Sequence, residues 1–173
     1  MLSPEDFKLV VQSAPLFSMD LVVLNEKNQI LVGKRKNSPA KGYWFVPGGR
    51  VFKSEPLADA FERISNAELG HKFDYSSAKQ LGLYDHFYDD SVFGDDVSTH
   101  YINAPYLIKL LDGIVLNLPT EQHQEYRWVN ICDFSKDETV HRFSKVFLKV
   151  LFVKENLDLA HVIDQTLDKA NRC

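Results

Sequence analysis

The segment GRVFKSEPLADAFERISNAELG, residues 49–70, decides the fold of this chain. It follows a Pro-Gly pair and passes into a stretch in which apolar residues recur at helical spacing. Ser54 is a suitable helix N-cap, and Gly70 is a suitable residue to end a helix. The pattern therefore predicts a helix over residues 55–69.

One face of this predicted helix is apolar. With Leu57 as the reference at about 100° per residue, Phe61 lies at about +40° and Ile64 at about −20°. Glu68 falls at about +20°, inside the same face, whereas Arg63 lies at about −120°, outside it. An ionised carboxylate in an apolar face is costly unless it is paired or bound to a metal. Two readings of Glu68 remain open: a metal ligand, or a helix-end residue that reaches solvent or an arginine.

The rest of the chain alternates short apolar runs with polar turns. Ser3-Pro4, followed by two acidic residues, predicts a first helix. The predicted strands are residues 19–24, 30–33, 81–88, 100–111 and 125–129, and helical spacing resumes from residue 140 and again over residues 159–167. This order of elements predicts the α+β class, with a mixed β-sheet flanked by helices.

Composition limits the class of protein. The 173 residues, 45% hydrophobic and 25% charged, are expected to form one globular domain. The net charge of −4 gives no sign of a nucleic-acid partner. With neither a membrane-length apolar run nor a signal peptide, we expect no membrane association and a cytoplasmic location. Cys132 and Cys173 are the only cysteines, so no disulfide framework is predicted.

The spacing within residues 49–70 resembles the Nudix box, G-x5-E-x7-R-E-U-x-E-E-x-G-U, in which U is a bulky aliphatic residue. The matching positions are Gly49, Glu55, Arg63, Glu68 and Gly70. The departures are Ile64 and Ala67 at acidic positions and Ser65 and His71 at aliphatic positions. This loss of carboxylates looks like the GDP-mannose mannosyl hydrolases, a family within the Nudix superfamily.

The resemblance to that family extends beyond the box. Segments that look like it, in the same order, are Glu5-Asp6-Phe7, Gly33-Lys34-Arg35, residues 42–51, residues 86–90, Thr99-His100-Tyr101, Glu121-Gln122-His123 and Tyr126-Arg127-Trp128. Coverage runs from Pro4 to about residue 149, and the last two dozen residues fall outside it.

The resemblance implies a fold, a reaction and a cofactor. The fold is a Nudix α/β/α sandwich over residues 1–150, with residues 151–173 as a helical extension of the same domain, and the assembly is a homodimer. The reaction is hydrolysis of GDP-mannose, and of GDP-glucose more slowly, to GDP and free sugar by inverting attack of water at the anomeric carbon. The cofactor is Mg²⁺, for which Mn²⁺ can substitute.

The resemblance also assigns roles to individual residues. The implied metal ligands are the Gly49 carbonyl, the Glu68 carboxylate and the Gln122 amide. The implied catalytic groups are His123 as general base, Arg35 and Arg50 for charge on the diphosphate, and Tyr101 as a hydrogen-bonding group near the leaving phosphate. The implied substrate-binding residues are Phe7, Asp20, Arg35, Arg50, Arg63, His86 and Tyr101. For Arg63, pairing with a glutamate to fix the box is the equal alternative.

Two competing functions follow from the same residues. An ordinary Nudix pyrophosphatase would cut between the phosphates and release GMP and sugar 1-phosphate, although the box has few carboxylates for that chemistry. A catalytically silent Nudix domain would bind a nucleotide sugar as a sensor. Retention of Arg50, Glu68, Gln122 and His123 together favours a working enzyme.

Overall fold

The computed structural model describes residues 2–154. Within these residues the α-helices and strands, in chain order, are α1 (Pro4–Ser13), β1 (Leu16–Leu24), β2 (Gln29–Arg35), β3 (Trp44–Phe45), β4 (Gly48–Arg50), α2 (Leu57–Leu69), β5 (Lys79–Gln80), β6 (Tyr84–Tyr88), β7 (Thr99–Lys109), β8 (His123–Asn130), α3 (Ile131–Phe134) and α4 (Leu148–Lys154). Short 3-10 helices occupy Tyr75–Ser77 and Arg142–Lys145.

All the strands join one mixed sheet. β1 pairs with β7 in parallel, from Leu16 opposite Tyr101 to Leu24 opposite Lys109. β1 also pairs antiparallel with β2 and β4. β3 and β8 add to β2, and β5 and β6 add to β7, in each case antiparallel. The predicted mixed sheet is confirmed.

Helices cover both faces of this sheet. Successive residues of β1 point to opposite faces, so their neighbours show what packs on each face. Val22 is buried in a core that includes Phe134 of α3 and Leu151 of α4. Its neighbour Leu21 is buried in a second core that includes Phe61 of α2. The sheet therefore lies between α2 on one side and α3 and α4 on the other, which confirms the predicted α/β/α sandwich.

The helix of the box begins later than predicted. It starts at Leu57 after Pro56, with no side-chain cap, and Ser54 is not its N-cap. Ser54 has a φ of 63°, which breaks the helical path before it starts. Glu55 precedes the helix, and its side chain accepts a hydrogen bond from Arg63.

The end and the buried face of α2 agree with the sequence. Gly70 ends the helix at a φ of 62°, and a Cβ there would lie 2.1 Å from the Asn117 carbonyl oxygen. Phe61 and Ile64 are buried, as predicted. Leu57, the reference for the apolar face, is 43% exposed because the helix starts there.

Several other boundaries differ by a few residues. The strand predicted over residues 81–88 begins only at Tyr84, because Gly82 has a φ of 133°. The strand predicted over residues 125–129 runs from His123 to Asn130.

At the C-terminal end of the described residues, the predicted division at residues 150 and 151 falls inside α4, where Leu151 and Phe152 are buried in the core. The helical stretch predicted over residues 159–167 lies outside the described residues. Between residues 2 and 154, no helix has the length and apolar character needed to cross a membrane.

Candidate active site

Most of the predicted site residues line one cleft of about 250 Å³. Predicted residues in its lining are Asp20, Arg35, Gly49, Arg50, His86, Tyr101 and Gln122. Ser18, Gly48, Tyr88 and Asn103, which were not predicted, line it as well. A larger open groove of about 1070 Å³ contains none of the predicted site residues. The small cleft is therefore the candidate active site.

Strand register places the cleft residues on one side of the sheet. Ser18 on β1 stands opposite Arg50 on β4 and beside Asn103 on β7. Asp20 follows Ser18 by two residues and therefore shares its face. Tyr101, two residues before Asn103, shares that face in turn. Together these strands form one polar wall.

Two further positions complete this wall. His86 on β6 stands opposite Tyr101 on β7, and Tyr88, two residues later on β6, shares the strand face of His86. A Cβ at Gly48 would lie 2.6 Å from an Asp20 carboxylate oxygen. Only glycine at residue 48 leaves room for that carboxylate.

Arg35 reaches the cleft from a locally irregular strand. The pairing of β2 with β8 shifts between Gly33 and Arg35. The Arg35 guanidinium lies 5.7 Å from the Phe45 ring centroid, and its Nε donates to the Pro39 carbonyl at 2.8 Å. These contacts hold its positive charge at the cleft.

Arg50 is held against aromatic rings. Its guanidinium lies 4.2 Å from the Phe7 centroid and 5.3 Å from the Phe52 centroid. Phe7 also meets Phe93 edge to face at 5.5 Å. The Phe7 ring, an implied substrate-binding residue, therefore already contacts the Arg50 guanidinium.

The Arg63 side chain makes its hydrogen bonds to other residues of the box segment, residues 49–70. Its Nε donates to Glu55 Oε1 at 2.6 Å, and a terminal nitrogen donates to Glu55 Oε2 at 2.8 Å. The same nitrogen donates to the Arg50 carbonyl at 2.9 Å, and Glu55 also accepts from the Phe52 backbone N–H. The Arg63 hydrogen bond is the largest cause of the lowered pKa of Glu55. Of the two readings of Arg63, the geometry favours pairing with a glutamate, and Arg63 does not line the cleft.

Glu68 is buried at the C-terminal end of α2, with 4% of its surface exposed. Gln122 Nε2 donates to its Oε1 at 2.8 Å, and no hydrogen-bond partner reaches its buried Oε2. Burial raises the pKa of Glu68 to about 7, against the lowering effect of Arg35. Glu68 therefore has one carboxylate oxygen without a partner, and the Gln122 amide oxygen is not used in the hydrogen bond between the two side chains. These two oxygens are ligands that suit a divalent cation.

Gly49 on β4 stands opposite Met19 and lines the same cleft as Gln122. A Cβ at Gly49 would lie 3.1 Å from an Ile64 side-chain carbon, so a side chain here would press on α2. Gly49 thus allows β4 to pack closely on the helix that carries Glu68.

His123 is not in the open cleft. It is 2% exposed, lies against Gly33, and its Nδ1 is 3.8 Å from Glu68 Oε2. Burial lowers its pKa to about 4, so the ring is neutral near pH 7 and this contact is not an ion pair. Its Nε2 is buried without a hydrogen-bond partner. The predicted base is therefore buried near Glu68, follows Gln122 in the chain, and does not line the cleft.

Burial shifts the pKa values of three polar groups of the cleft. It raises the pKa of Asp20 to about 7, while the nearby Asn103 amide and the charge of Arg35 act in the opposite direction. Burial lowers the pKa of His86 to about 4, and it raises that of Tyr101. Near pH 7 His86 is neutral and Tyr101 keeps its phenolic proton for donation.

Asn103 is one of the four cleft residues that the sequence did not suggest. It is 1% exposed, and its Nδ2 donates to Ser18 Oγ at 2.9 Å. Its Oδ1, Asp20 Oδ2 and His86 Nε2 are buried without partners. Its position two residues after Tyr101, inside a predicted strand, was the available signal.

Comparison with known proteins agrees with this architecture. Residues 15–151 match the family model described as NUDIX domain. The low-salt glycan biosynthesis protein Agl8 of Haloferax volcanii is 40% identical over 120 residues, which cover 69% of this chain and 74% of that protein.

Solved structures show the same fold. The MutT NUDIX hydrolase of Burkholderia pseudomallei superposes with a TM-score of 0.64 at 25% identity, over 79% of this chain and 98% of that one. The NUDIX domain of Shewanella oneidensis NrtR, solved with ADP ribose, gives a TM-score of 0.59 at 17% identity, over 90% and 94% of the two chains. The matched family model and the close relative show that this chain belongs to the NUDIX domain family.

Proposed function

We propose that this protein hydrolyses GDP-mannose to GDP and mannose, and GDP-glucose more slowly, by attack of water at the anomeric carbon with inversion. The observation that carries the proposal is the small number of carboxylates at the metal-binding end of the box, where Glu68 is the one that remains and is hydrogen-bonded to Gln122. Within residues 2–154, no group of three or more His, Cys, Asp and Glu side chains is placed to hold a metal. Such a site suits a single ion on a leaving diphosphate better than the activation of water against phosphorus.

The proposed metal is Mg²⁺, with Mn²⁺ as a substitute. The residues that would hold it are the Gly49 carbonyl, Glu68 Oε2 and the Gln122 amide oxygen. When bound, such an ion supplies positive charge to the leaving diphosphate. The unpartnered Oε2 of Glu68 supports this assignment.

GDP departs without an acid catalyst in this proposal. A terminal phosphate oxygen has a pKa of about 6, so it can leave as an anion near neutral pH. Negative charge on the diphosphate grows toward the transition state, where Arg35 and Arg50 stabilise it and Tyr101 donates a hydrogen bond. The three side chains line the same cleft, which supports the assignment.

The proposed general base is His123. A base must be neutral at working pH and must have a free ring nitrogen, and His123 Nε2 satisfies both conditions. Gln122, the preceding residue, lines the cleft, so in this proposal the attacking water approaches the buried Nε2 of His123 from there. The sugar is held by Asp20 and His86, and Phe7 lies beside the nucleobase.

The similarity to Agl8 supports a nucleotide-sugar substrate, since that protein is described as a glycan biosynthesis protein. The ADP ribose in the NrtR structure is a small nucleotide-derived ligand of the same general kind. We further propose a cytoplasmic homodimer, with no nucleic-acid or membrane partner.

Product analysis tests this function. After incubation with GDP-mannose and Mg²⁺, we expect GDP and free mannose in equal amounts on anion-exchange chromatography. GMP with mannose 1-phosphate would instead identify a pyrophosphatase. Tight binding of GDP-mannose with no product would identify a sensor domain.

A further inference from the structure

We propose that Tyr126 is a positioning residue that holds His123 in the tautomer a general base requires, with the proton on Nδ1 and the lone pair on Nε2. Tyr126 lies on β8, three residues after His123, and does not line the cleft. The inference deepens the proposed function and rests on it for the catalytic role of His123.

The direction of two hydrogen bonds carries the inference. Tyr126 Oη lies 2.7 Å from the Pro119 carbonyl oxygen, which can only accept, so the single phenolic proton points there. Tyr126 Oη also lies 3.1 Å from His123 Nδ1. With its proton already used, the phenol oxygen can only accept this second bond. Nδ1 must therefore carry a proton and donate it.

The surroundings of Nδ1 lead to the same tautomer. Glu68 Oε2 lies 3.8 Å from Nδ1, beyond hydrogen-bond distance. An unprotonated Nδ1 would direct its lone pair at the phenol oxygen, whose one proton already goes to the Pro119 carbonyl. A protonated Nδ1 has the phenol oxygen as its acceptor. A histidine that acts as a base has only one N–H, so when Nδ1 carries it the buried Nε2, which has no hydrogen-bond partner, keeps its lone pair.

Gly33 allows this pair of rings to lie against the sheet. A Cβ at Gly33 would lie 2.5 Å from His123 Cδ2 and 2.9 Å from Tyr126 Cε1. The two rings meet at a centroid distance of 5.1 Å and an angle of 52°. Packing on Gly33 thus limits rotation of the His123 ring, and the Pro119 carbonyl fixes the phenol.

The test is nitrogen NMR of the full-length protein labelled with ¹⁵N-histidine, with Mg²⁺ and GDP present. The chain has six histidines, so the His123 signals are assigned by their loss in His123→Gln. In the wild type we expect a protonated Nδ1 and an unprotonated Nε2. In Tyr126→Phe we expect the tautomer population to move toward Nε2–H, which free imidazole side chains favour. An Nε2–H tautomer in the wild type overturns the inference.

Activity gives the second readout. Tyr126→Phe should lower kcat about 10- to 100-fold, as loss of an orienting hydrogen bond to a functional histidine does, with little change in KM. Tyr84→Phe is the matched control, since the Tyr84 phenol also donates to a carbonyl, that of Leu81 at 3.0 Å, and it should keep wild-type kcat and tautomer. Wild-type kcat and an unshifted tautomer in Tyr126→Phe would overturn the inference. If GDP-mannose is not a substrate, the nitrogen signals still decide the tautomer.

Discussion

Glu68→Gln should lower kcat for GDP-mannose hydrolysis by about 10³-fold, because several kcal/mol of charge stabilisation is lost with the metal. The amide keeps the shape of the side chain and removes its charge. For the same reason, excess EDTA should abolish wild-type activity, and Mg²⁺ or Mn²⁺ should restore it. Mn²⁺ binding, measured by electron paramagnetic resonance, should weaken in parallel in the variant.

Glu62→Gln is the matched control for this prediction. Glu62 lies on the same helix but is paired with Lys72 at 2.6 Å near the surface. It should therefore keep wild-type activity and metal affinity. A Glu68→Gln protein with both properties unchanged would show that Glu68 is only a buried helix-end residue.

His123→Gln should lower kcat by about 10²- to 10⁴-fold, the usual contribution of a positioned general base, and should change substrate affinity much less. Steady-state kinetics with GDP-mannose at saturating Mg²⁺ measures both effects. His100→Gln is the control, because His100 is partly exposed and pairs with Asp85 at 3.1 Å. It should behave as the wild type.

An unchanged kcat in His123→Gln would remove His123 from the base role without changing the reaction. Asp20 would then be the structural alternative, since it lines the cleft, has an unpartnered oxygen, and has a pKa raised by burial to about 7. Asp20→Asn would be the next variant to test.

Helical spacing predicted the helix of the box, apart from its first two residues, and placed Glu68 in the apolar face, but it left open whether that carboxylate reaches solvent. Three and four residues separate neighbours on one face of a helix, so Ile64 and Glu68 had to share the side that packs on the sheet. The carboxylate of Glu68 lies in that face, and its partner Gln122 was identified by resemblance.

Features that depend on tertiary contacts were not predictable from spacing. Glu55 does not extend α2, because Arg63 two turns later takes both of its carboxylate oxygens. Arg35 reaches the cleft through a shift in strand pairing, which no local pattern signals. The burial of His123 depends on Gly33 of the neighbouring strand β2. The position of Asn103 in the cleft depends on Ser18 of the neighbouring strand β1.

The most direct measurement is hydrolysis of GDP-mannose in ¹⁸O-labelled water, with mass spectrometry of the products and early NMR of the sugar. Attack at the anomeric carbon with inversion places the label in mannose, leaves GDP unlabelled and gives β-mannose first from the α-linked substrate. Label in the phosphate of GDP, or of GMP, would mean attack at phosphorus and would contradict the proposed reaction.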